Sequence, residues 1–207
     1  MLNMAILISG RGSNMNAILS AHANSTLKNI QPCVVISNKK ETLGLKIARE
    51  KFGIATEVIL SDGKKGWEYD KEIISVLKKY NIYPSNSLIC LAGYMRILSA
   101  DFVKEYKLRI LNIHPSLLPS FKGLHAQKQA VDYGVKVSGC TVHFIDDNVD
   151  TGPIIIQESV PVYDKDTEED LSNRILQLEH KLYPIAIGLY SEGKLKVDGR
   201  KVILLDE

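Results

Sequence analysis

The sequence predicts an α/β protein: a mostly parallel, twisted, Rossmann-like sheet with helices on both faces. Three observations carry that expectation. Short apolar runs alternate with amphipathic stretches of helical spacing through the first half of the chain, as a parallel sheet with crossover helices requires. A Gly/Ser/Asn turn separates the first apolar run from the first amphipathic stretch. After residue 113 two apolar runs follow one another and the chain finishes on a hairpin pattern, so the C-terminal part should contain antiparallel strands.

Residues 5–9 (AILIS) read as a buried strand, followed by the turn and a helix over about 14–23. A second strand at 33–37 leads to a helix over 42–52, and a third at 56–60 leads to a helix over 67–80 with Ile73, Ile74 and Leu77 on one face. Strands at 88–92 and 109–113 flank a short helix around 100–106. A Pro-rich loop then reaches a helix near 126–133, where His125 could act as the cap. Strands at 140–145 and 154–162 are joined by the polar loop 146–152. A long helix over 167–192 tolerates Pro184, and strands at 194–197 and 201–205 turn across Asp198-Gly199.

With 207 residues, 45% of them hydrophobic and 24% charged, the chain is expected to fold as one domain over 1–207, in halves 1–113 and 114–207. A formal net charge of +2, with its Lys-Lys pairs scattered, points away from a polyanion-binding surface, so no nucleic-acid partner is expected. No run approaches the roughly 20 apolar residues of a membrane span, and no signal peptide is evident. The protein reads as cytoplasmic, with no membrane partner, and as a monomer or weak homodimer. Cys33, Cys90 and Cys140 each lie in an apolar run, which fits reduced, buried thiols better than disulfides or a zinc site.

Between the first strand and helix, Ser9-Gly10-Arg11-Gly12-Ser13-Asn14 has two open readings. Its glycines allow a sharp turn that aims helix N–H groups at an anion. Alternatively it is a plain turn, with Ser13 or Asn14 capping the helix. A dinucleotide fingerprint would need glycine where Met15 stands and an acid where Asn38-Lys39-Lys40 follows the second strand, so NAD is not expected.

Asn112 and His114 fall at the carboxyl end of a strand, where open α/β sheets bind ligands. Being two apart, they share a face, and an amide beside an imidazole can stabilise an oxyanion. Asp150, before Thr151-Gly152-Pro153, is either a turn residue or the carboxylate that orients that imidazole. His143, with Thr141 on its face, is either a core histidine or a support behind the site. No ligand spacing suggests a metal.

The stretch from Leu111 to His125 (LNIHPSLLPSFKGLH) resembles the signature of folate-dependent formyltransferases, most of all the branch that formylates a glycinamide ribonucleotide. The likeness covers nearly the whole chain. Residues 8–14 resemble that family's phosphate loop, and 91–98 (LAGYMRIL) its folate-pocket segment. The motifs at 141–144 and 150–153, and then 179–184 (EHKLYP), follow in the family's order. The resemblance implies 10-formyltetrahydrofolate as co-substrate and no metal. It implies that Gly12, Ser13, Asn14 and Glu179 hold the ribonucleotide. Met95, Arg96, Ile97, Leu98 and Asn112 would hold the folate, chiefly through backbone, with Ile97 and Leu98 as apolar walls. Asn112, His114 and Asp150 would be catalytic.

In one respect the chain departs from the family: the Arg often found before the Tyr-Asp pair is absent ahead of Tyr69-Asp70, where Lys64-Lys65-Gly66-Trp67 stands. Three alternatives carry weaker expectations. A methionyl-tRNA formyltransferase should bring a further domain and a basic surface. A formyltetrahydrofolate deformylase should bring an N-terminal regulatory domain, for which a strand starting almost at Met1 leaves no room. A non-catalytic nucleotide-binding module has no need of the Asn/His/Asp set.

Overall fold

Within the first half, every strand pairing is parallel. In the computed structural model, which describes residues 1–205, that half comprises β1 (Leu2–Ile8), α1 (Ser13–Ala23), β2 (Ile30–Ser37), α2 (Leu43–Phe52), β3 (Ala55–Val58), α3 (Gly66–Lys79), β4 (Ser87–Leu91), α4 (Ala100–Glu105) and β5 (Ile110–His114). The second half adds α5 (Ala126–Tyr133), β6 (Val137–Phe144), β7 (Ile154–Pro161), α6 (Glu168–Ser191), β8 (Leu195–Asp198) and β9 (Lys201–Leu204). The last two residues of the expected 1–207 domain lie outside the described residues.

One sheet in the order β3-β2-β1-β4-β5-β6-β7-β9-β8 runs through the protein. Antiparallel pairing begins at β5/β6 and continues at β6/β7 and β8/β9, as expected of the C-terminal part, while β7 and β9 meet in parallel at Ile154 and Lys201. The strand order reverses between β1 and β4, and the crevice beyond their carboxyl ends is where such sheets take ligands.

Alternation along β1 builds two cores. Met4, Ile6 and Ile8 face α1 and α6, in a cluster with Ile18, Leu19, Ile175 and Leu182. Ala5 and Leu7 face α3 and α4, with Ile73, Leu77 and Phe102. Helix α6 starts on a capping box of Thr167 and Asp170, with Glu168, Glu169 and Asp170 in the first turn where the helix dipole favours acids. Leucine and isoleucine at helical spacing carry it past Pro184.

Element ends differ from expectation where pairing outruns composition. Strand β2 begins at Ile30 rather than 33, across Pro32. Pairing with β3 starts only at Val34, so Pro32 has no partner on that side, and the β1/β2 register shifts beside it. The terminal turn sits one residue later than expected, because Asp198 and Lys201 pair and leave Gly199-Arg200 at the tip. Cys90 and Cys140 are buried free thiols as expected, whereas Cys33 is half-buried. Among the described residues no helix is long and apolar enough to cross a membrane.

Candidate active site

The loop leaving β1 turns at Gly12, the N-cap position of α1, with φ +71°. Glycine is required twice over: the backbone is left-handed, and a Cβ there would stand 2.8 Å from the Cα of Gly44 at the start of α2. No side chain caps α1, so the caps expected of Ser13 or Asn14 are not made. Its first-turn N–H groups and the positive end of its dipole are left for an anion.

Asn14 turns instead to α6, where its Nδ2 donates to Glu179 Oε2 at 2.8 Å. Burial pushes the Glu179 carboxyl up to about 7, against the opposing pull of that hydrogen bond. Asn14 Oδ1 is buried without a partner, an acceptor with capacity to spare. One turn further along α6, Tyr183 anchors the helix to the sheet, its hydroxyl lying 3.0 Å from Leu91 O at the end of β4 and 2.9 Å from Leu111 O within β5. Glu179 lines a cleft of about 640 Å³ with Arg11, Gln127, Thr167, Ser172 and Asn173. Sequence reasoning missed Arg11, Gln127 and Asn173. A lone cation inside the glycine turn was a usable signal for Arg11, whereas polar helix residues such as the other two look like any solvated face.

Beyond β4, Leu91 and Ala92 are core, and the following segment crosses the end of β1, with Met95 N–H donating to Ser9 Oγ at 2.8 Å. Met95 and Ile97 project outward, 63% and 78% exposed, as apolar groups for a ligand to cover. Leu98 differs from its expected place as a pocket wall: its side chain is buried in the α3/α4 core. Arg96 stacks on Tyr69 at 3.8 Å and donates to Lys64 O at 3.1 Å, tying this segment to the loop before α3. Lys64 is paired with Glu72, and Lys65 takes the N-cap position of α3.

At the end of β5, Asn112 lies opposite His143 of β6, and His114 lies opposite Thr141. Asp150 arrives on the β6–β7 loop at φ +52°. Gly152 lets that loop close, since a Cβ there would sit 1.8 Å from Phe144 O. His114 Nδ1 is 3.3 Å from Asp150 Oδ2, and His143 Nε2 is 3.7 Å from Asp150 Oδ1. Asn112 Nδ2 is 3.2 Å from His143 Nε2. The fold thus gathers Asn112, His114 and Asp150, and His143 touches two of the three rather than standing behind them.

Chemistry settles the direction of these bonds. His143 Nδ1 donates to Phe144 O at 2.8 Å, so Nε2 carries the lone pair and Asn112 must turn its NH2 toward it. Burial pushes the His143 imidazole below its ordinary pKa, which keeps that neutral tautomer. His114 Nε2 donates to Phe121 O at 2.8 Å, and Gly123 N–H donates to Asp150 Oδ2 at 2.8 Å. In this state, then, the expected convergence of amide and imidazole on one open point is not made, because the backbone of 121–123 occupies the ring. Thr141, expected to share the role of His143, braces the Pro-rich loop: its hydroxyl donates to Ser116 O at 2.6 Å and accepts from Leu118 N at 3.1 Å. His125 stands at the N-cap position of α5 with φ +58° and makes no cap hydrogen bond, so the capping expected of it fails. Among the described residues no group of three or more His, Cys, Asp and Glu is arranged to hold a metal ion. An amide donor, a carboxylate and an imidazole in contact can stabilise an oxyanion and move a proton.

A family profile described as "Formyl transferase" matches residues 2–187. The chain is 42% identical to the phosphoribosylglycinamide formyltransferase of Escherichia coli (strain K12), over 95% of this chain and 90% of that protein. It is 47% identical to the trifunctional purine biosynthetic protein adenosine-3 of Bos taurus over 94% of this chain, yet spans only 19% of that protein's length. The crystal structure of glycinamide ribonucleotide transformylase 1 from Symbiobacterium toebii superposes with a TM-score of 0.93 at 44% identity, covering 100% of this chain and 95% of that one. With its fold, its cluster of Asn112, His114 and Asp150 and these matches in agreement, the chain belongs to the formyl transferase family.

Proposed function

We propose that the protein transfers the formyl group of 10-formyltetrahydrofolate to the primary amine of glycinamide ribonucleotide, with 1–113 and 114–207 acting as one catalytic unit. The observation that carries this reading is the pairing of His114 Nδ1 with Asp150 Oδ2 at 3.3 Å, both side chains nearly excluded from solvent, at the end of the strand that carries Asn112. The ribonucleotide phosphate sits on the first turn of α1, at Gly12, Ser13 and Asn14, with Arg11 as counter-charge. Glu179 accepts from the ribose hydroxyls. The folate lies along 95–98, against the exposed side chains of Met95 and Ile97 and the backbone of Arg96 and Leu98, and reaches Asn112.

The neutral amine attacks the formyl carbon and forms the new C–N bond. Asn112 turns its second amide hydrogen, and His114 its Nε2–H, to the resulting oxyanion. This asks Phe121 O to release the ring. Asp150 orients His114 and relays the amine proton to the departing folate nitrogen as the old C–N bond breaks. No metal or covalent enzyme intermediate is called for. The test is to follow folate product from 10-formyltetrahydrofolate with and without glycinamide ribonucleotide. Product only with the ribonucleotide is expected; product in its absence indicates a deformylase, and none in either arm overturns the reading.

A further inference from the structure

Asp150 occupies a left-handed backbone conformation at φ +52°, which non-glycine residues resist unless the surroundings impose it. Most restraints on its loop are internal. Thr151 Oγ1 donates to Asp146 Oδ1 at 2.6 Å, Asn148 N–H to the same oxygen at 3.3 Å, and Phe144 N–H to Pro153 O at 2.9 Å. The first two shape the loop but travel with it, the third ties its exit to β6, and on the carboxylate itself Gly123 N–H donates to Asp150 Oδ2 at 2.8 Å.

A further restraint from outside, acting on the loop backbone next to Asp150, comes from Arg200. Its Nη2 donates to Thr151 O at 2.9 Å, across 49 positions of sequence. Arg200 stands at the tip of the β8–β9 hairpin, and the next residue, Lys201, pairs with Ile154, the first residue of the strand into which the loop feeds. The hairpin is thus registered on the loop's exit while its arginine grips the carbonyl next to Asp150. A guanidinium–carbonyl bond is charge-assisted, and the donor's planar fork makes it directional. The family profile ends at residue 187, so this hairpin lies outside the part of the chain that it matches.

We propose that Arg200 is a positioning residue for the reaction: by holding Thr151 O it sets the Asp150 carboxylate at its working distance from His114. The inference rests on the formyl-transfer reading above. Arg200 is exposed and is not among the residues assigned to either substrate, so its removal should touch the chemical step more than binding or stability.

The test is a double-mutant cycle of Arg200→Ala with Asp150→Asn, together with Arg200→Lys and hydrogen exchange over 146–152. Arg200→Ala is expected to lower kcat about tenfold, as small misplacements of reacting groups do, with KM for both substrates and the thermal midpoint nearly unchanged. Arg200→Lys should recover part of the loss, since an ammonium also donates to a carbonyl. In the Asp150→Asn background Arg200→Ala should cost nothing further. A wild-type kcat in Arg200→Ala, or a loss that adds in full to that of Asp150→Asn, overturns the proposal. If the wild-type protein makes no formylated ribonucleotide, the proposed function fails separately. Exchange then decides the clamp: faster exchange over 146–152 in Arg200→Ala supports it, and unchanged exchange overturns it.

Discussion

Across the β5/β6 register pair, Asn112 Nδ2 donates to His143 Nε2 at 3.2 Å, and His143 is able to accept because its Nδ1–H is spent on Phe144 O. A residue with 0% of its surface exposed thereby decides which end of the Asn112 amide is available to a substrate. Without the imidazole lone pair, the amide would be free to flip and present its oxygen where a donor is needed.

His143→Leu, which removes that acceptor, is therefore expected to lower kcat by about 10²-fold, the scale of losing one oxyanion donor, with little change in either KM. His143→Gln keeps an acceptor oxygen and should retain more activity. Steady-state kinetics of the two variants check this; equal losses in both would count against the tautomer argument.

Asp150→Asn and His114→Ala are expected to cut kcat by about 10³-fold or more while ribonucleotide binding persists, because neither residue is among those proposed to hold the ribonucleotide. Calorimetric titration of each variant with the ribonucleotide, beside turnover measurements, separates the two effects. Near-normal turnover in either variant removes that residue from the mechanism.

Burial pushes the Glu179 carboxyl up to about 7, so its effects on binding and on folding pull in opposite directions with pH. In the role proposed for it, the carboxylate accepts ribose hydroxyls, and ribonucleotide affinity should therefore rise as pH passes upward through about 7. For folding the sign is reversed. Its folded-state pKa lies above the unfolded value, so between roughly 4.5 and 7 the native state holds the extra proton, and this group's contribution to stability falls as pH rises. Glu179→Gln should flatten the pH dependence of binding and raise the thermal midpoint at pH 8 relative to the wild type. Binding curves and melting scans from pH 5.5 to 8.5 read both.

Gly152→Ala places a methyl where Phe144 O lies 1.8 Å away, a backbone atom that cannot step aside cheaply. The β6–β7 loop must move, carrying Asp150 with it. The expected cost is about 1–3 kcal/mol of stability, the range for overpacking, and a fall in kcat of about 10²-fold. Thermal unfolding and turnover of this variant check it, and wild-type values for both would show that the loop is not held as described.

Legibility followed the range of the forces involved. Helix α5 falls at 126–133 as periodicity predicts, and α1, α2, α3, α4 and α6 come within a residue of expectation, because spacing and caps such as Thr42, Ser99 and Thr167 act within one or two turns. Strand ends were less legible. Parallel pairing draws Asn3 and Pro32 into β1 and β2 although both residue types are poor strand formers. At the site, Asn112 and His114 were readable from their spacing at a strand end, whereas Asp150 needed the family resemblance to separate it from an ordinary turn residue. The expected caps at Ser13, Asn14 and His125 failed because other demands prevailed: Gly12 and His125 take left-handed conformations, and Glu179 claims the Asn14 amide.

The amino-acid sequence by itself determined the α/β class, the order and kind of the elements, the family signature and the identity of Asn112, His114 and Asp150. These depend on residues close together along the chain. The partners of those groups were decided only by the tertiary structure. Asn14 meets Glu179 across 165 positions, Thr151 meets Arg200 across 49, and Asn112 meets His143 across 31. Each of those meetings depends on sheet register and on how α6 and the terminal hairpin pack, and no local pattern encodes them. The closure of the 121–123 backbone over His114 and Asp150 belongs with them, since a carbonyl and an N–H are common to every sequence and only the fold places them.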